Sequence, residues 1–146
     1  MARKTLGVVI RRPVKDVWDL LNDMERFSVA WGEHYTLTSG GPIRVGSTIA
    51  EDDGATATIT QHNPQRDYSF VVKPAKKNPI VASVAMGFVL EPIDQGTRLT
   101  AWFEPTFTAF GRLLQPAIVP IWALMARKPA NRVKLYLEQG LSGART

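Results

Sequence analysis

The sequence predicts an α+β domain, one antiparallel sheet with helices packed against it. Three observations lead there. From Tyr35 to Phe107 the chain reads as strand-length segments separated by Gly, Pro, Asn and Asp. Ahead of them, residues 13–31 carry apolar side chains at helical spacing. Behind them, Phe110 to Gln139 is the one segment long enough for a dominant helix. At 146 residues the chain is sized for a single domain, spanning 1–146, whose core needs no covalent staples.

Thr5 to Arg11 is β-branched and apolar enough for a first strand, and Arg12-Pro13 stops it. Pro13 suits the start of a helix, where its missing N–H would be unpaired anyway. Val14, Val17, Trp18 and Leu21 then follow the i, i+3, i+4, i+7 pattern of a short amphipathic helix. Asp23 is placed to cap a second short helix that turns Met24, Phe27 and Trp31 inward.

Strands are expected over Tyr35–Ser39, Val45–Glu51, Ala55–His62, Asp67–Lys73, Ile80–Glu91 and Thr97–Phe107. Asp52-Asp53-Gly54 is a tight-hairpin signal, because Asp and Gly tolerate positive φ. Short turns between consecutive strands imply an antiparallel meander. Gly87, inside the long sixth strand, is expected to mark a bulge or bend.

In the C-terminal segment Phe110, Leu114, Ala117, Ile121, Leu124 and Met125 share one helical face, widened at its margins by Leu113, Ile118 and Trp122. That face is expected to lie on the sheet. Pro116, Pro120 and Pro129 predict kinks, hence one bent helix or two nearly collinear ones. After Pro129 the apolar register resumes at Val133, Tyr136 and Leu137, offset from the first part, and Gly140 is a candidate C-cap. The predicted order is β-α-α-β6-α.

The absence of cysteine excludes disulfides and thiolate chemistry. The basic residues behind the net charge of +5 are scattered, among them Arg3, Lys4, Arg11, Arg12, Lys73, Lys76, Lys77, Arg127, Lys128 and Arg132. A solvated surface is expected rather than a nucleic-acid site. The apolar run after Lys4 is cut by Arg11 and Arg12 and is too short for a signal peptide. The most apolar window, Leu113 to Ala126, is shorter than a bilayer span and holds two prolines, so a cytoplasmic protein is expected.

The order of elements and several strings resemble the helix-grip superfamily, which includes START lipid-binding domains, birch-pollen-allergen-like proteins and polyketide cyclase/dehydrase-like proteins. The strings are Ile10 to Trp18, Asp23 to Trp31, Gly41 to Ser47, Leu90 to Pro92 and Gly96 to Leu99, and they are most similar to the small bacterial polyketide cyclase/dehydrase-like branch. The resemblance implies a curved antiparallel sheet gripping the C-terminal helix. Between them it implies a mostly apolar cavity that takes lipids, sterols, polyketides or similar molecules. Fold alone does not give the reaction.

Residues able to line such a cavity are Met24, Phe27 and Trp31 from the short helices and Tyr35, Phe70, Met86, Phe88 and Trp102 from the strands. Phe110, Leu114, Ile118, Trp122 and Met125 would add the long helix. Candidates for proton transfer are few. His34 and Tyr35 alternate to opposite faces of a strand, His62 adjoins the turn Asn63-Pro64, and Glu104 stands at the strand-to-helix junction. Glu51 and Glu91 abut turns, where exposure is expected. With no cysteine and no His-x-x-x-His spacing, neither a metal nor a cofactor is expected.

Three functional classes follow. The first is noncovalent binding of a hydrophobic small molecule between sheet and C-terminal helix. The second is a cyclase/dehydrase-type enzyme in which His34, Tyr35 or Glu104 polarises a carbonyl and moves a proton. The third, ranked below both, is a membrane- or partner-docking module using Trp122 beside Arg127, Lys128 and Arg132. Homodimerisation through a sheet face or edge is compatible with all three.

Overall fold

Turn chemistry and alternating apolar residues deliver the predicted strands. A computed structural model, which describes residues 3–76 and 78–139, contains β1 (Lys4–Ile10), α1 (Val14–Leu21), α2 (Met24–Trp31), β2 (Tyr35–Leu37), β3 (Thr48–Glu51) and β4 (Thr56–Asn63). There follow β5 (Asp67–Lys73), β6 (Val81–Ile93), β7 (Gly96–Phe107), α3 (Ala109–Met125) and α4 (Arg127–Gln139). This is the predicted order, with the last helix in two parts. Gly140 lies outside the described residues.

The strands form one seven-stranded antiparallel sheet in the order β1-β7-β6-β5-β4-β3-β2. Register assigns its faces, because directly opposed residues point the same way. Phe103 opposes Lys4 and Met86, Met86 opposes Phe70, and Phe70 opposes Ile59. This face carries the buried Ile49, Ile59, Tyr68, Phe88, Leu90 and Leu99 and is the one the helices cover. The opposite face carries Thr5, Trp102, Gly87 and Ser69, again in register.

Two irregularities interrupt the ladders, one between Ile59 and Gln61 and one between Val81 and Ser83. Gly87 is not among them. It pairs regularly with Ser69 and Trp102, and a Cβ added there would meet the Trp102 indole at 2.6 Å. The glycine makes room for a ring rather than a bulge.

Asp23 caps α2 as expected, its side chain accepting from the Arg26 N–H at 3.2 Å. In α4 the inward residues are Ala130, Val133 and Leu137. With Val17, Leu20 and Leu21 of α1 and Ile10 of β1, Val133 and Leu137 build the main core cluster. The helix breaks at Ala126 rather than at Pro116 or Pro120, both of which lie inside α3. Pro129 accounts for the position, since it has no N–H to offer the Met125 carbonyl and sits in the first turn of α4.

The face of α3 is the main departure from expectation. Phe110, Leu113, Leu114, Ile121, Leu124 and Met125 point away from the sheet. The inward side is Gly111, Ile118, Val119 and Trp122, which meet Ile80, Val81 and Phe107. A side chain at Gly111 would collide with the Ile80 backbone, so the glycine lets α3 pack directly on the chain entering β6. Helical phase agrees: about eighteen residues make five turns, which maps Leu137 onto Val119 and Tyr136 onto Ile118. One continuous inward stripe therefore runs through both helices, and the larger apolar arc of α3 is left outside.

Candidate functional site

Short contacts between α2 and the first strands build the site. Ser28 Oγ donates to the Met24 carbonyl at 2.6 Å and accepts from the Tyr35 N–H at 3.0 Å, tying α2 to β2. Beneath α2, Phe27 and Trp31 stack at 5.3 Å. Phe88 from β6 stands edge-on to Phe27, Trp31 and Tyr68 at 6.0, 5.8 and 5.7 Å. Tyr68 is pinned by its hydroxyl, which donates to the Leu21 carbonyl at 2.7 Å. Burial pushes that phenol's pKa up and keeps it a donor.

These rings enclose a cavity of about 220 Å³ between α2 and the sheet. Met24, Phe27 and Trp31 form its roof, and Ile49, Ala57, Phe70, Val72, Val84, Met86 and Phe88 its floor, with Tyr35 and Tyr68 beside them. No described residue of α3 or α4 lines it. The expectation of a cavity under the C-terminal helix is thus corrected, because Val133 and Leu137 fill that end with core and α2 supplies the roof instead.

The polar groups of this cavity lie on one side. Tyr35 donates its hydroxyl to Glu33 Oε2 at 2.6 Å. Burial foremost, and then this bond, raise the Tyr35 pKa, so the phenol remains protonated. Glu51 opposes Tyr35 in the β2–β3 ladder and so faces the same way. Its carboxyl is pushed up to about 7, mainly by burial and further by the charges of Asp53 and Glu33. A wider outer groove of about 570 Å³ adjoins, lined by Ser28, Gly32, His34 and Asp53 among others, and it shares Glu33 and Glu51 with the cavity.

Of the residues expected to line a cavity, Met24, Phe27, Trp31, Tyr35, Phe70, Met86 and Phe88 do so. Trp102 lies on the opposite face of the sheet, with the Arg3 guanidinium 3.8 Å over its ring. Glu104 shares that outer face and pairs with Arg3 at 3.2 Å, so it does not reach the cavity. Phe110, Leu114 and Met125 are exposed on α3, whereas Ile118 and Trp122 pack on the Val81–Phe107 cluster. These seven placements follow from strand parity and helical phase.

His34 faces the outer groove, its Nε2 3.4 Å from Thr36 Oγ1, and is not paired with Tyr35. His62, expected as a partly exposed histidine at a strand end, is half-buried near the end of β4, its ring between Trp18 and Tyr68. Asn22 Nδ2 donates to the Trp18 carbonyl, which leaves its Oδ1 to accept from His62 Nε2 at 2.7 Å. Burial lowers the His62 pKa, favouring this neutral, structural form.

Glu33 and Glu51 are the site residues that sequence reasoning missed. The usable signal is parity: Glu51 lies two residues beyond Ile49 in one strand and must share its buried face. Among the described residues no cluster of three or more His, Cys, Asp or Glu could hold a metal ion.

Solved structures of low identity share the fold. DynU16, a protein in the dynemicin biosynthetic locus, is 20% identical with a TM-score of 0.73. The match covers 94% of this chain and 48% of DynU16, so the chain spans about half of that protein. A protein from Nitrosospira multiformis is 14% identical with a TM-score of 0.75, covering 99% of this chain and 100% of its own. Ara h 8.0201 is 10% identical with a TM-score of 0.70, covering 92% and 96%. No curated protein sequence matches the chain. The family profile described as polyketide cyclase / dehydrase and lipid transport matches residues 1–138, and with this helix-grip architecture the chain belongs to that family.

Proposed function

We propose that this protein binds a hydrophobic small molecule, lipid-, quinone- or polyketide-like, in the cavity under α2. The observation that carries this reading is an enclosure walled by Phe27, Trp31, Phe70, Met86 and Phe88 whose carboxyl groups, Glu33 and Glu51, also border the outer groove. The cavity alone is below the usual ligand-pocket range of about 300–1,000 Å³, and with the groove it comes within it. The ligand accordingly places an apolar end inside and a polar end among Glu33, Glu51 and His34. A cytoplasmic setting goes with this reading.

The test is a thermal-shift panel of fatty acids, sterols, quinones and polyphenols. A ligand at about 100 times its Kd adds ~2.7 kcal/mol of stability by mass action. A class-specific rise in Tm, abolished by filling the cavity, supports the proposal; no shift across the panel overturns it.

A second reading, an acid/base enzyme of the cyclase/dehydrase type, is favoured by one observation: the Glu51 carboxyl, pushed up to about 7, opposes the Tyr35 phenol beside the cavity. In it Glu51 moves a proton, and the Tyr35 hydroxyl exchanges its bond to Glu33 for one to a substrate oxygen. Retained ligand binding with at least a hundredfold loss of turnover in Glu51→Gln is its signature. Unchanged turnover eliminates it.

A further inference from the structure

We propose that the outward face of α3 docks on an anionic lipid surface. The helix lies in the plane of the interface with Phe110, Leu113, Leu114, Ile121, Leu124 and Met125 immersed. This surface is separate from the cavity and does not depend on what the cavity binds.

The exposed side chains form one stripe, not a scatter. Leu113 is 78% exposed, Leu124 66% and Met125 65%, and all six lie on the arc of α3 opposite Val119. A contiguous apolar face of this kind marks an interaction surface rather than ordinary solvent exposure.

Charge selects the partner. Along α3 and α4 the cations are Arg112, Arg127, Lys128, Arg132 and Lys134, and the one carboxylate, Glu138, pairs with Lys134 at 2.7 Å, far from the α3 stripe in sequence, so the stripe is flanked by positive charge. Arg127 and Lys128, just beyond the C-terminal end of α3, are exposed, so they reach headgroup level while the stripe beside them is immersed. A parallel second copy of the face fits poorly, because Lys128, eighteen residues from Phe110 and so in phase with the stripe, would meet its own copy.

Lying in the interface suits the backbone better than crossing it. By length and composition Ala109–Gln139 would suffice to span a membrane. Yet Pro116 and Pro120 withhold N–H groups from the Arg112 and Pro116 carbonyls, which is costly in hydrocarbon and tolerable at a hydrated interface. The inward side of α3 is also already committed, with Val119, Ile118 and Trp122 packed on Val81 and Phe107.

The experiment is co-sedimentation of the full chain with vesicles of phosphatidylcholine alone and of equal parts phosphatidylcholine and phosphatidylglycerol. Binding is expected to the mixed vesicles and to weaken as salt is raised. Arg127→Ala with Lys128→Ala should lower affinity about thirtyfold. Leu113→Glu with Leu124→Glu should abolish binding with Tm preserved, and Val45→Glu, on a loop remote from α3, should leave it intact.

Failure to bind either vesicle, equal binding to both, or insensitivity to both sets of α3 substitutions overturns the proposal. So does a concentration-dependent dimer, lost in Leu113→Glu with Leu124→Glu, without vesicle binding. That result would assign the face to a second copy of the chain.

Discussion

Trp102 lies across the space that a side chain on Gly87 would occupy. A Cβ on Gly87 would stand 2.6 Å from the indole Nε1, and Arg3 closes over the same ring at 3.8 Å. The pair sits on the sheet face away from the cavity, so its substitution tests the assignment of faces.

Gly87→Ala should destabilise the fold by about 1–3 kcal/mol through overpacking, although glycine-to-alanine exchange within a strand is favourable on propensity alone. Urea unfolding measures it, and Trp102→Ala in the same chain should recover most of the loss. A Gly87→Ala protein as stable as the parent would place the indole elsewhere.

Filling the cavity should separate binding from folding. Met86→Trp puts an indole into the space beside Phe70 and Phe88 at a cost of about 1–3 kcal/mol. Whichever compound class raises the parent's Tm should no longer do so. An undiminished shift would move the ligand out of this cavity.

Glu51 gives a pH dependence of definite sign. Its folded pKa, about 7, lies above its ordinary value of 4.5, so between these values the folded state holds more proton than the unfolded one. Its contribution to stability is therefore lost as pH rises through this window. Glu51→Gln should leave stability unchanged near pH 4 and raise it at pH 8. The gain is of order 1 kcal/mol after discounting for the half-exposed carboxyl, or about 3 °C in Tm. Denaturation of both proteins across pH checks it, and a loss of stability at pH 8 would contradict the burial assigned to this group.

The orientation of α3 predicts unequal costs for two large apolar residues on its opposite sides. Leu113→Ser, at a 78% exposed position, should change stability by no more than about 0.5 kcal/mol. Trp122→Ala should cost about 2–3 kcal/mol, since its half-buried indole stacks on Phe107 and meets Phe103. The reverse ranking, read by chemical denaturation, would turn the helix over.

Much of the cavity lining is legible in the sequence. Met24, Phe27 and Trp31 recur at spacings of three and four, so they had to share a helical face, and they form the roof. Phe70, Met86 and Phe88, large apolar residues within strand-length segments, form part of the floor. What misled was the helix after Phe107. Apolar residues surround α3 on more than one side, and hydrophobicity alone selected the broader arc. The offset of Val133 and Leu137 already contained the answer, because their phase carried back through α3 selects Val119 and Trp122.

The sequence by itself determined the order of elements, the antiparallel meander and the aromatic roof, because periodicity and turn chemistry act over a few residues and can be read locally. Only the tertiary structure decided that α2 rather than the C-terminal helix closes the cavity, and which parity of each strand faces it, so that Trp102 and Glu104 turn outward and Glu51 turns in. Those outcomes depend on cross-strand register and on where Gly111 lets a helix approach Ile80, and both are relations between residues far apart in the chain.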